Sequence, residues 1–222
     1  MKVYSGGVHE RPLPERECHT MSIEHNPASF QELKTRTVEL SKYPAPNLIV
    51  PGLTVELFER LHHDHKINFA VLDLDNTLVD ALLNSQGEFD VDEASVKALQ
   101  EARLKGSLKE YGLLSNVQIP LPHLKHRVEH FAQLIDTKFF LAATLFNSKP
   151  KPRGIQTLLQ EMGAKPEETV VIGDQLSKDV RVARNIGAFA VLRYPHFGKD
   201  PFYRQGKRKT EQAIINSWLQ HP

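Results

Sequence analysis

Apolar runs of strand length alternate with stretches of helical periodicity through the middle of this chain, and that alternation restricts the fold more than any other feature. Residues 69–74, Phe-Ala-Val-Leu-Asp-Leu, read as a buried strand by their length and flanks. Residues 92–105 follow as a helix, with Val96, Leu99, Ala102 and Leu104 near a 3.6-residue period. The pattern then repeats: extended at 108–115, helical at 123–135, extended at 138–145, helical at 153–162. Ile155, Leu158, Leu159 and Met162 form the inward stripe of that last helix. A short strand at 168–172, a helix at 177–186 ended by Gly187, and a strand at 189–192 complete the series. Strands separated by helices imply a parallel sheet, because parallel neighbours need crossovers and these run right-handed. The expected fold is therefore α/β, with helices on both faces.

Residues 1–45 differ in texture, with Gly6, Gly7, Pro12, Pro14, Pro27 and Pro44 among polar residues and one faint helical patch at 30–40. They are expected to form a loosely structured N-terminal arm. Residues 46–195 form the α/β domain, and 196–222 a basic C-terminal extension ending in a helix near 214–219. At 222 residues the chain has enough length for a packed core without disulfides, and Cys18, its sole cysteine, excludes an intramolecular one. A reducing compartment fits. No stretch approaches the ~20 apolar residues of a spanning helix. Glu10, Glu15 and Glu17 near the start suit neither a signal peptide nor an acid-poor transit peptide. The expected location is cytoplasmic, with an organellar matrix or plastid left open. A net charge of +1 gives no global field for a polyanion, so no nucleic-acid partner is expected.

In parallel sheets chemistry collects in the crevice beyond the carboxyl ends of the strands. After the first central strand stand Asp73 and Asp75, two apart and so on one side of an extended chain, followed by Asn76 and Thr77. After the second come Ser115 and Asn116. The third leads to Lys149, opening Lys-Pro-Lys-Pro, and the fourth to Gly173-Asp174, with Asp179 in the next turn. Each feature alone is an ordinary turn or cap. Four of them at four successive strand ends point to one shared crevice.

The set resembles the four motifs of the haloacid dehalogenase (HAD) superfamily of phosphatases: DxDNT, a strand-end Ser, KPxP and GDxxxxD. The resemblance covers about residues 47–194. Within it, GDQL and the lead-in LIVPGLTV resemble the YqeG-type (HAD type III) branch, which includes phosphatidylglycerophosphate phosphatases of phospholipid metabolism. Ser177 and Lys178 depart from that branch's pattern, as do residues 80–90 and the proline-rich stretch 118–122. All three lie where a leaving group could be contacted. The resemblance implies a Rossmannoid HAD-like fold. Residues 75–115 and 115–149 each accommodate little beyond one helix and one strand, so the expected form is capless and the site open to bulky substrates.

The resemblance further implies a phosphomonoester hydrolase in which Asp73 attacks phosphorus to form an aspartyl-phosphate. Asp75 protonates the leaving oxygen and later activates water. A carboxylate near a phosphate is repelled by about 4 kcal/mol per like-charge pair at 4 Å and an effective dielectric near 20, so cations must offset it. Mg²⁺ held by Asp73, the Asp75 backbone carbonyl and Asp174 is the expected cofactor. Asp179 would orient that set, Lys149 and Ser115 would bind phosphoryl oxygens, and Thr77 and Asn116 would brace the surroundings. The expected substrate is a phosphorylated group, a lipid headgroup fitting the open site. Residues 193–209, with six Lys/Arg against one Asp and interleaved aromatics, are the expected peripheral membrane contact. Two alternatives stay open: a phosphoprotein, nucleotide or sugar-phosphate substrate, and a catalytically idle HAD scaffold acting as a binding module. The discriminating measurement is turnover of an aryl phosphate with and without Mg²⁺.

Overall fold

The computed structural model describes residues 43–118 and 122–220. The helical patch expected at 30–40, Cys18 and most of the proline-rich stretch lie outside the described residues. In chain order the elements are β1 (Leu48–Val50), α1 (Val55–His65), β2 (Phe69–Leu72), β3 (Val79–Leu83), β4 (Phe89–Val91), α2 (Glu93–Leu104), β5 (Glu110–Gln118), α3 (Pro122–Leu134), β6 (Phe140–Thr144), α4 (Pro152–Met162), β7 (Thr169–Gly173), α5 (Arg181–Ile186), β8 (Phe189–Arg193) and α6 (Gln205–Gln220).

Six strands form one wholly parallel sheet in the order β1-β8-β7-β2-β5-β6. The α/β fold with a parallel sheet is thus as expected. Period-2 alternation divides its side chains between two layers. Ala70, Leu72, Val170, Ile172 and Val191 face α1, α2 and α3 through Leu57, Phe58, Leu61, Leu99 and Phe131. Phe69, Val71, Val171, Ala190 and Leu192 face α4, α5 and α6 through Ile155, Leu158, Val182 and Ile215. Burial of each large apolar side chain contributes about 1.5–3 kcal/mol, and both faces of the sheet are covered.

Sequence periodicity did not resolve β1, α1 or the β3–β4 hairpin. β1 is only three residues long, yet all three are buried beside β8. Residues 80–90, the stretch that departed from the family pattern, form most of the antiparallel β3–β4 hairpin, turning at residues 84–87. Leu104, assigned to the inward stripe of α2, is 87% exposed. Five residues beyond Leu99 a helix has rotated the side chain far from the Val96–Leu99–Ala102 face. α6 begins at Gln205, well before the expected 214, and packs Ile215 into the second layer.

Strand order places the site. β2 is central, with β5 on one side and β7 on the other, so Asp73 and Asp174 follow adjacent strands, while Ser115 lies within β5, which runs three residues past the expected end at 115. The ladder continues one step past β2, where Asp73 N–H donates to Ile172 O at 2.9 Å.

Candidate active site

The Asp73–Thr77 turn is fixed from below. Asn76 has φ 59°, a left-handed conformation that Asn tolerates better than most side chains. Its side chain accepts from Ala81 N–H at 3.1 Å and donates to Asp200 at 2.8 Å, while its carbonyl accepts from Phe197 N–H at 2.9 Å. Thr77 is buried, and its carbonyl accepts from Arg193. Arg193 also pairs with Asp92, the N-cap of α2, at 2.6 Å. The end of β8 is thereby tied to the acidic turn and to a helix start.

Above the turn, a small open cleft is lined by Asp73, Asp75, Ser115 and Asn116, and by Lys149, Gln175, Lys178 and Arg204. Lys149 Nζ is buried and donates to Asp73 and to Asp179, each at 2.6 Å. An ammonium has three N–H donors, so one remains for a ligand. Burial opposes the Lys149 charge, but Asp179 and Asp73 more than offset it and hold its pKa above the ordinary lysine value. Asn116 clamps the Lys149 backbone from both sides, accepting from its N–H at 2.8 Å and donating to its carbonyl at 3.0 Å. Ser115, buried within β5 opposite Ala142, lines the same cleft.

A single π turn over Leu176–Val180 carries Lys178 and Asp179 toward the cleft, marked by the Val180 N–H to Gln175 O bond at 3.3 Å. Both oxygens of Asp179 are engaged, one by Lys149 and the other by Gln175 N–H at 3.0 Å. Gly173 makes room for it, since a β-carbon there would overlap the Asp179 carboxylate.

Asp73, Asp174 and Asp179 bring carboxylate oxygens within 4.8 Å of one another. Burial, together with repulsion from Asp73 and Asp179, pushes the Asp174 carboxyl up to about 7 despite the opposing Arg208. Burial likewise pushes Asp179 up against the pull of Lys149. Three buried acids share too little positive charge, and their all-oxygen donors fit a divalent cation. The oxygen spacing is compatible with one such ion.

Three arginines in this arrangement were not assigned to the site from the sequence, and two of them, Arg204 and Arg208, were counted in the basic stretch instead. Arg127, on α3, donates to Asp75 at 2.6 Å and lies 4.1 Å from the centre of the Phe89 ring. Arg204 approaches the other Asp75 oxygen at 3.4 Å. Arg208, one turn further along, bonds the carboxylate of Asp174, its carbonyl at 2.6 Å, and Asp200 at 2.8 Å. Glu211, on the same helix, accepts from Ser177 N–H at 3.1 Å. The basic stretch 193–209 is therefore divided. Arg193, Arg204 and Arg208 turn inward to acids, whereas Lys199, Lys207 and Lys209 stay exposed. Only the lysines remain for a surface contact, a correction to the full basic face expected.

A family model described as "Hydrolase: haloacid dehalogenase-like hydrolase" matches residues 55–187, more than half of the chain. The chain belongs to this family. As an enzyme it is a HAD-type phosphatase. Among curated proteins it is 27% identical over 178 residues to the "Probable phosphatase YqeG" of Bacillus subtilis (strain 168), covering 80% of this chain and 93% of the relative. A shorter match, 48% identical over 71 residues, is to a "Phospholysine phosphohistidine inorganic pyrophosphate phosphatase" of Xenopus laevis, covering 32% of this chain and 24% of that one. Among solved structures, a protein from Listeria monocytogenes serotype 4b aligns at 19% identity and a TM-score of 0.48, over 61% of this chain and 84% of that one. A HAD phosphatase from Thermococcus onnurineus aligns at 23% identity and a TM-score of 0.37, over 54% and 58%. The family match in this HAD-like hydrolase stops short of Arg204 and Arg208. No helix of the described residues is long and apolar enough to cross a membrane.

Proposed function

We propose that this HAD-family phosphatase hydrolyses phosphomonoesters through an aspartyl-phosphate on Asp73. The observation that carries the reading is the pair of 2.6 Å bonds from buried Lys149 to Asp73 and Asp179 beside Asp75 in one cleft. With Oδ1 of Asp73 held by Lys149, Oδ2 is the nucleophilic oxygen. The remaining donor of Lys149 and the Ser115 hydroxyl bind phosphoryl oxygens, where developing charge is stabilised most in a dry site. Arg127 fixes Oδ1 of Asp75, so Oδ2, whose contact to Arg204 is long at 3.4 Å, carries the proton to the leaving oxygen. The same oxygen then takes a proton from the water that cleaves the intermediate.

Asp73, the backbone carbonyl of Asp75 and Asp174 would hold Mg²⁺, which would supply charge to the phosphoryl oxygens. Asp179, with both oxygens bonded, orients the set. Thr77 and Asn116 support the turn and Lys149. The functional unit runs from about residue 46 and includes α6, because Arg204 and Arg208 reach the acids. The favoured substrate is a phosphorylated lipid headgroup such as phosphatidylglycerophosphate, met at a bilayer through Lys199, Lys207 and Lys209 beside exposed Phe202 and Tyr203.

Turnover of an aryl phosphate with Mg²⁺ tests the chemistry. Asp73→Asn is expected to lower kcat more than about 10³-fold, and Asp75→Asn about 10²–10⁴-fold. Undiminished turnover by Asp73→Asn would reject the nucleophile. Comparing phosphatidylglycerophosphate in vesicles with soluble phosphoesters tests the substrate, and equal rates on both would remove the lipid assignment.

A further inference from the structure

Two cations in the cleft exceed what the chemistry above uses. Lys178 lines it and, among the described residues, its side chain has neither a hydrogen bond nor an ion pair. Arg204 lies near enough for the two charges to repel. Among the described residues, the only hydrogen bond of the Arg204 side chain is the long one to Asp75, and its Nη1 is buried without an acceptor. Arg127 supports the same Asp75 through one nitrogen, while its Nε and Nη2 also lack acceptors. Asp75 therefore has a closer partner on its other side, and Arg204 can leave it without stranding the carboxylate. Buried donors without acceptors are costly, by about 1–3 kcal/mol each, and neighbouring like charges add to that cost.

The charge inventory agrees. The lining side chains comprise two carboxylates and three cations, before any metal is counted. Lys149 is committed to Asp73 and Asp179 and, by the reading above, to the scissile phosphoryl group. Among the described residues, the Lys178 side chain bonds no acid and Arg204 makes only its long contact to Asp75.

We infer that Lys178 and Arg204 form a subsite for a second anionic group of the substrate, within a few bonds of the phosphoryl group that is cleaved. This deepens the phosphatase reading and rests on it for the identity of the first anion. The substrate class is a phosphomonoester that also carries a phosphate, as monoester or diester, on a short linker. A guanidinium presents a planar fork to two phosphate oxygens, and the lysine adds a point charge. The linker must be short, since Lys178 and Arg204 line the same cleft as Asp73 and Lys149.

The test compares propyl phosphate with propane-1,3-diyl bisphosphate. The wild-type enzyme with Mg²⁺ is expected to favour the bisphosphate at least tenfold in kcat/KM. Arg204→Met and Lys178→Met should each reduce that ratio at least threefold, whereas Lys97→Met, exposed on α2, should leave it unchanged. Equal kcat/KM for the two esters in the wild-type enzyme would overturn the subsite, whatever the variants do. Calorimetric titration of the Asp73→Asn protein with the same two esters reads the subsite without turnover. At least tenfold tighter binding of the bisphosphate is expected, and equal affinities would overturn the inference even if no ester were hydrolysed. The source of the second anion is read by comparing phosphatidylglycerophosphate in phosphatidylcholine vesicles with its deacylated headgroup. Comparable loss on both in Arg204→Met supports recognition of the anion itself, and a loss confined to vesicles overturns it in favour of a bilayer contact.

Discussion

A methyl group at position 173 would occupy space that the Asp179 carboxylate fills. Gly173→Ala is therefore expected to cost about 1–3 kcal/mol in a denaturant melt by overpacking, and to lower phosphatase turnover because Asp179 can no longer hold both Lys149 and Gln175 N–H. Asn116→Ala tests the same lysine from the backbone side. Loss of its two bonds to Lys149 should lower kcat about tenfold, equivalent to ~1.4 kcal/mol, with the fold intact by melting. Asp73, Asp75, Lys149 and Asp174 were legible in the sequence because each follows a strand or its connecting loop, so local pattern gives their location. Arg127, Arg204 and Arg208 were not. A long guanidinium side chain reaches its partner across the fold, and the 52-residue separation of Arg127 from Asp75 leaves no local trace.

The elements were read from periodicity, and their success tracks their length. α4, with Ile155, Leu158, Leu159 and Met162 all buried, was read almost to the residue. Three-residue β1 was not, since a tripeptide has no period, and the hairpin was hidden because its residues are partly exposed and polar. α6 was placed too late because its first turns carry Lys207, Arg208 and Lys209, which resemble a solvated tail until Arg208 meets Asp174. The join of β5 to the end of α3 carries its own test. Tyr111, on β5, is fully buried, and its hydroxyl donates to Ile135 O at 2.6 Å. Burial pushes its phenol up to about 12, against the pull of Arg103. In the unfolded chain the same phenol ionises near pH 10, so between pH 10 and 12 unfolding releases a proton and stability falls as pH rises, by up to ~1.4 kcal/mol per unit. Denaturant midpoints across that range should decline less steeply in Tyr111→Phe than in the wild-type protein.

Across the whole molecule, the buried acids make stability depend on cations. If the site binds Mg²⁺ as proposed, a concentration one hundred times its Kd adds ~2.7 kcal/mol, raising Tm by about 5–10 °C at this chain length. Scanning calorimetry with Mg²⁺ against EDTA checks this, and Asp174→Asn should diminish the shift. Truncation after Tyr203 should be costlier than loss of an exposed tail. It strips Asp174 of its guanidinium partner Arg208, and stranding a buried charge costs about 3–5 kcal/mol. A melt of the shortened chain that matched the full one would contradict that role for α6. The contact from Arg204 to Asp75 closes 129 residues of chain. A nascent chain on the ribosome thus displays every motif residue before it owns Arg204 and Arg208, and Asp174 meets its guanidinium only once α6 has been made.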